Sequence, residues 1–112
     1  MNIGSLYLVK KWFWLLFPSK ETAATANIYA HDIAVGYAEA HHGADRESVA
    51  FYANWLSKEL KCEVTYFSPD SYIVCLENDG RLKKVLTSDG RIGWIWFIQD
   101  DISCFEEAKT EQ

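Results

Sequence analysis

The sequence predicts an α+β fold, a small antiparallel β-barrel with a helical insertion at about residues 22–61. Short aromatic and aliphatic runs near both ends of the chain are typical of strands. The middle of the chain carries apolar residues at helical spacing, and turn residues separate the later runs at hairpin distances. We expect barrel strands at about residues 5–17 and 63–98 and an acidic C-terminal tail at 99–112, all in a single domain spanning residues 1–112.

Two apolar runs begin the chain, Leu6–Val9 and Trp12–Phe17, with Lys10 and Lys11 between them and Pro18 after them. Their short length and their aromatic content favour strands. No Gly or Asn marks a tight turn at the two lysines, so a single buried helix across both runs is the alternative.

Two helices are predicted next. The first, Thr22–His41, places apolar residues on one face at intervals of three and four. The second, Arg46–Lys61, has Asp45 as a good N-cap. Its apolar stripe consists of Val49, Tyr52, Ala53, Leu56 and Leu60, widened by Phe51 and Trp55.

Four further strands are predicted after the second helix. The segments SPDS, ENDG and SDG separate them, and each contains residues that favour turns, so consecutive hairpins should form a meander. In the last hairpin, Gly90 follows Asp89 and is expected to have a positive φ. The predicted strands are Glu63–Phe67, Tyr72–Leu76, Leu82–Thr87 and Ile92–Ile98.

Charge and cysteine content exclude several classes of function. The net charge is −5, and the tail carries five acidic residues against one lysine, so we expect a solvated, partly frayed end. A nearly neutral body without clustered Lys and Arg argues against a nucleic-acid partner. No apolar run is long enough to span a membrane. Three cysteines without CxxC spacing favour reduced thiols and a cytoplasmic location.

An enzyme is the minor hypothesis, a small metal-dependent hydrolase centred on His31, Asp32 and His42. Such chemistry needs several ligands that hold a metal ion to activate water. His31 and His42 lie on the order of 16 Å apart along a helix, too far to share one ion. Cys75 lies in an apolar run, where a buried, inert thiol is expected. We therefore predict no enzymatic activity, no cofactor and no metal site.

Two tryptophans on one strand are the remaining signal. Ile92, Trp94 and Trp96 share one face of the last predicted strand, and Ile95 and Phe97 share the other. If the second face points into the barrel, the tryptophans lie outside it. They then form a second core layer under the helices, an aromatic groove for a peptide, or a surface for self-association. We expect Trp94 to be the more exposed and the less costly to truncate.

The predicted binding residues are aromatic. They are Trp94, Trp96, Tyr7 and Trp55. The resulting hypothesis is a non-enzymatic protein-binding module whose protein partner is unknown, with no nucleic-acid or membrane partner. A homodimer, or a purely structural homo-oligomer, is the alternative that the sequence leaves open.

The segment "DGRIGWI" resembles the late strand of Src-homology-3-like barrels, in which a Gly-Trp-aliphatic step leads into the closing strand. "GSLYLVKKWFWLLFPS" would supply the opening strand and its loop. The resemblance covers the two ends of the chain and implies a Src-homology-3-like barrel in which residues 22–61 are an insertion.

A second resemblance is carried by "GSLYLVKKWFWLLFPSK", "SYIVCLENDG" and "KVLTSDGRIGWI" together. This combination is similar to small uncharacterised proteins encoded by marine cyanobacterial phages. It implies a phage accessory protein that acts inside a bacterial host by binding a host or phage protein. It implies no catalytic or binding residues.

Overall fold

The computed structural model describes residues 1–11, 13–26, 46–96 and 104–108 of the chain. These residues form mostly antiparallel strands together with helices, which confirms the predicted α+β class. The helical segments are α1, residues 20–26, and α2, Arg46–Leu60. The strands are β1 (Leu6–Val9), β2 (Trp14–Leu16), β3 (Thr65–Phe67), β4 (Tyr72–Asp79), β5 (Leu82–Thr87), β6 (Ile92–Trp96) and β7 (Phe105–Glu107).

The helical insertion between β2 and β3 begins earlier than predicted. A reciprocal cap explains the start of α1: the Ser19 N–H donates to Thr22 Oγ1 at 3.1 Å, and the Thr22 N–H donates to Ser19 Oγ at 3.1 Å. Most of the predicted helix Thr22–His41 lies in residues 27–45, outside the described part of the chain. The predicted N-cap Asp45 lies outside it as well.

Helix α2 packs on the sheet through its predicted stripe, since Val49, Ala53 and Leu56 are buried. Phe51 is 67% exposed, so the prediction that it widens the stripe is wrong. Each residue turns a helix by about 100°, so position 51 points nearly opposite to positions 49 and 53.

The main sheet has the strand order β6-β5-β4-β1-β7, and all its pairs are antiparallel. The meander β4-β5-β6 is confirmed, and Gly90 in its second turn has the predicted positive φ, +88°. The predicted hairpin between β3 and β4 is wrong, because β3 pairs with β2 instead. The first two strands form no hairpin either, since β1 pairs with β4 and β7.

Phe17 joins the two-stranded sheet to the main sheet. Its N–H donates to the Trp94 carbonyl at 2.9 Å, and the Trp94 N–H donates to the Phe17 carbonyl at 2.8 Å. Gly93 makes this approach sterically feasible, because a Cβ there would lie 2.6 Å from Leu16 Cγ and 2.7 Å from the Phe17 carbonyl oxygen. Strands β3 and β2 therefore continue the curved surface beyond β6.

Within the described residues, the curved surface is not closed into the predicted barrel. Among the described strands, β3 and β7 at its two ends form no pair with each other. Side chains meet near this gap instead: the ring centroids of Trp14 on β2, the neighbour of β3, and of Phe105 on β7 lie 4.8 Å apart. Aromatic packing thus occupies the position where a barrel would have a ladder of backbone hydrogen bonds.

Part of the acidic tail is structured, so the expectation of a solvated end is wrong for residues 104–108. Phe105–Glu107 form β7, and Phe105 pairs with Val9. Cys104 and Phe105 are buried, while Glu106 points outward and forms an ion pair with Lys10 at 3.0 Å. Two consecutive buried residues are followed by two exposed glutamates, so this acid-rich segment forms an edge strand that Cys104 and Phe105 attach to the core.

Two apolar clusters lie on opposite faces of the sheet. The inner cluster fills the concave face and consists of Tyr7, Val9, Leu16, Phe67, Ile73, Cys75, Val85, Ile95, Cys104 and Phe105. The helix-side cluster lies between the outer face and the helices and consists of Phe17, Ala23, Ala26, Ala53, Leu56, Val64, Leu82 and Trp94.

Alanine substitutions on the buried side and on the exposed side of α2 should differ in their effect on stability. Leu56→Ala should lower the free energy of unfolding by about 2–5 kcal/mol, because it leaves a cavity in the helix-side cluster. Phe51→Ala is the matched control from the same helix and should change it by no more than about 0.5 kcal/mol. Chemical denaturation of both variants measures the difference, and equal midpoints would contradict this packing.

Candidate binding surface on the outer face of the sheet

The two tryptophans of β6 lie on the outer face, under the helices. Trp94 is 9% exposed and belongs to the helix-side cluster. Trp96 is half-buried, and its indole N–H donates to the Ala23 carbonyl of α1 at 2.6 Å. The expectation that Trp94 is the more exposed of the two is wrong, because Phe17 pairs beside Trp94 while Trp96 lies at the end of β6. The shared face therefore meets the protein's own helices.

The other two predicted binding residues lie elsewhere. Tyr7 is buried in the inner cluster, on the opposite face of the sheet, and its hydroxyl accepts a hydrogen bond from the Asn2 N–H at 2.6 Å. Trp55 on α2 is half-buried against the helix-side cluster. The structure thus brings Trp94, Trp96 and Trp55 to one layer and separates Tyr7 from them.

An apolar row crosses the part of the outer face beyond the tryptophans. Leu6 on β1 pairs with Val74 on β4, Val74 pairs with Leu86 on β5, and Leu86 pairs with Ile92 on β6. Directly paired residues of antiparallel strands project from the same face, so the four side chains form one line across four strands. Ile92 and Trp94 are two residues apart, which places this row on the same face as the tryptophans.

This row remains accessible. Ile92 is 56% exposed and Leu6 is 38% exposed, whereas Val74 and Leu86 are half-buried between them. Tyr72, next to Val74 on the same face, is 43% exposed. We call these five residues the outer strip. An exposed, contiguous apolar surface of this kind is typical of a contact site.

Sequence inspection missed the outer strip for a physical reason. The strands β1, β4 and β5 carry apolar residues on both faces, so their patterns do not distinguish an inner face from an outer one. The strand register aligns the outer residues into a row. The helices cover only part of the outer face, and they leave this row accessible. No sequence signal separates the outer Tyr72 and Val74 from the buried Ile73 and Cys75, because all four are apolar.

An apolar cavity of about 240 Å³ lies beside Ile92, at one end of the outer strip. Its lining combines apolar side chains at and just after the end of β2 with polar groups in and just before β3 and in the β5–β6 turn. The lining residues are Leu16, Phe17, Pro18, Glu63, Thr65, Arg91 and Ile92.

A polar cavity of about 190 Å³ lies on the other side of Arg91. The β5–β6 turn supplies an ion pair to its lining, in which Arg91 Nε donates to Asp89 Oδ1 at 3.0 Å and to Oδ2 at 2.9 Å. The Thr87 hydroxyl also donates to Asp89 Oδ1. The hydrogen bonds from Thr87 and Arg91 lower the pKa of the Asp89 carboxyl below its usual value.

The described residues assemble no metal centre. Within these ranges, no group of three or more His, Cys, Asp or Glu side chains is placed to hold a metal ion. Burial raises the pKa of the Cys75 thiol and also that of the Cys62 thiol, which disfavours a thiolate nucleophile. The residues of the hydrolase hypothesis, His31, Asp32 and His42, lie outside the described part of the chain.

Comparison of the chain with models of protein families, with curated proteins and with solved structures finds no match. Within the described ranges, no helix combines the length and the apolar character needed to cross a membrane.

Replacing each of the two tryptophans with alanine should lower the free energy of unfolding by a different amount. Trp94→Ala should lower the free energy of unfolding by about 3–5 kcal/mol, because it empties a buried site under the helices. Trp96→Ala should cost less, since this side chain is half-exposed and loses mainly partial packing and one hydrogen bond of about 1 kcal/mol. Tyr72→Ala, which removes an exposed ring from the same face, is the control. Urea denaturation measures both losses, and a larger loss of stability for Trp96→Ala than for Trp94→Ala would contradict the assignment.

Proposed function

We propose that this chain is a non-enzymatic protein-binding module that contacts its partner through the outer strip. The observation that carries the proposal is the apolar row Leu6–Val74–Leu86–Ile92, which the strand register aligns and the helices leave accessible. Burial of such a row against a partner would be favourable by about 25 cal/mol for each Å² of apolar surface removed from water.

The geometry around Ile92 supports a protein partner. Protein contacts concentrate their binding energy in side chains that enter pockets at the centre of an interface. The apolar cavity beside Ile92 is large enough for one apolar side chain of a partner and adjoins the outer strip directly. Arg91 at its rim adds a charged group that could orient the partner.

The part of the same face that the helices cover makes the strip a rigid surface. Trp94 and Trp96 pack beneath the helices and hold β6 in place through the Phe17 pair and the Ala23 hydrogen bond. Backbone that is fixed in advance loses little conformational freedom on binding, which favours affinity. In this proposal the tryptophans support the surface, and Trp96 and Trp55 lie at its margin.

The proposal includes a fold relationship and a setting. The meander β4-β5-β6 and the Gly93-Trp94 step in β6 support a relationship to the Src-homology-3-like barrel. The sequence resemblance to marine cyanobacterial phage proteins supports an accessory role in the cytoplasm of a bacterial host, in contact with a host or phage protein.

A single exposed position tests the outer strip. Ile92→Glu places a charge at the most exposed end of the outer strip, beside the apolar cavity, and should abolish capture of the partner from a cyanobacterial host lysate. The fold should remain intact, because Ile92 is more than half exposed. The captured protein is then purified, and its affinity for both forms is measured by calorimetry. We expect a loss of at least tenfold, equivalent to about 1.4 kcal/mol.

Phe51→Glu is the matched control for this experiment. It introduces the same charge at an exposed apolar residue of α2, away from the strip, and should retain the partner. Light scattering on the wild-type protein distinguishes the alternative. A dimer that Ile92→Glu dissociates would replace the proposal with a structural homo-oligomer, and unchanged capture by Ile92→Glu would refute a role for the strip.

A further inference from the structure

We propose that the polar cavity between the start of α2 and the β5–β6 turn binds a small tetrahedral oxyanion, a phosphate group, through Arg46 and Arg91. This site is separate from the outer strip and does not depend on the proposed function.

Three parts of the fold supply the walls of this cavity. The first residue of α2, the loop between β3 and β4, and the β5–β6 turn converge on a volume of about 190 Å³. Sites for drug-sized ligands occupy roughly 300–1,000 Å³, so this cavity suits only a small group. The lining residues are Arg46, Tyr66, Phe67, Ser68, Ser71, Thr87, Ser88, Asp89 and Arg91.

The charges of the lining favour an anion. Among the described lining residues, Arg46 and Arg91 are positive, and Asp89 is the one carboxylate. This carboxylate is already engaged by Arg91 Nε and the Thr87 hydroxyl. The described lining therefore keeps a net positive charge after this neutralisation.

Hydrogen-bond donors remain available there. Both hydrogen bonds of Arg91 to Asp89 come from Nε, and the Arg91 Nη groups make none with described residues. Within the described ranges, the Arg46 guanidinium contacts the ring of Phe13, with its carbon 5.9 Å from the ring centroid, and makes no hydrogen bond. The hydroxyls of Ser68 and Ser88 likewise donate to no described residue.

This donor set fits a tetrahedral oxyanion better than a planar one. Arginine presents several N–H groups in a fixed fork that matches phosphate and carboxylate oxygens. A carboxylate has two oxygens, whereas two guanidinium groups and two hydroxyls on different walls can contact the three or four oxygens of a phosphate. A tracking contact with nucleic acid is not supported, because the net charge of the chain is −5.

Titration with inorganic phosphate tests the site directly. Backbone amide shifts of the isotope-labelled protein are followed by NMR at constant ionic strength, with sodium acetate as the planar comparison. We expect saturable shifts that concentrate at residues 68, 71, 88 and 91, and tighter binding of phosphate than of acetate. Shifts that never saturate, that spread over the whole protein, or that rank acetate above phosphate would overturn the assignment.

A charge-matched pair of variants completes the test. Arg46→Gln should weaken phosphate binding roughly tenfold, since it removes a charged hydrogen-bond donor from the cavity. Arg81→Gln removes the same charge from the exposed β4–β5 turn, outside the lining, and should leave the affinity unchanged. An equal loss in both variants, or an unchanged affinity in Arg46→Gln, would refute a specific site, and the amide spectrum verifies that both variants are folded.

Discussion

Two backbone hydrogen bonds between Phe17 and Trp94 connect the two sheets, and the arrangement of the remaining elements depends on them. They require close contact between β2 and β6, which the absence of a side chain at Gly93 permits. Once β2 lies beside β6, alternation along each strand decides where the neighbouring side chains go. Leu16 enters the inner cluster, whereas Phe17 and Trp94 enter the helix-side cluster. The same contact therefore organises both cores.

The helices then divide the outer face into two parts with different roles. Over β2, β3 and the end of β6 they bury the apolar side chains and satisfy the Trp96 indole through the Ala23 carbonyl. Over β1, β4 and the start of β6 they leave Leu6, Tyr72 and Ile92 accessible. A sheet that is apolar on both faces must be covered on both faces or expose apolar surface to water. The protein-binding proposal is the consequence of this incomplete cover.

The parts of the fold that could be predicted depend on residues close together in the sequence. Positions of β1, β5 and α2 followed from short apolar runs and from helical periodicity, and the β5–β6 turn followed from a glycine that adopts positive φ. The errors that changed the topology involved contacts between distant segments. The partner of β3 is β2 rather than its neighbour β4, and β7 lies within a segment whose acidic composition concealed the buried Phe105. The cap formed by Ser19 and Thr22 was visible in the sequence and was missed.

By itself, the sequence determined the α+β class, the positions of most strands, and the fact that Trp94 and Trp96 lie on one face, because these properties depend on residues close together along the chain. Only the tertiary structure decided what that face meets and which strands pair. It also decided that, among the described strands, β2 and β7 meet through the rings of Trp14 and Phe105 without backbone pairing. The outer strip and the polar cavity belong to the second group. Each is assembled from segments far apart in sequence, and no local pattern specifies how such segments align in space.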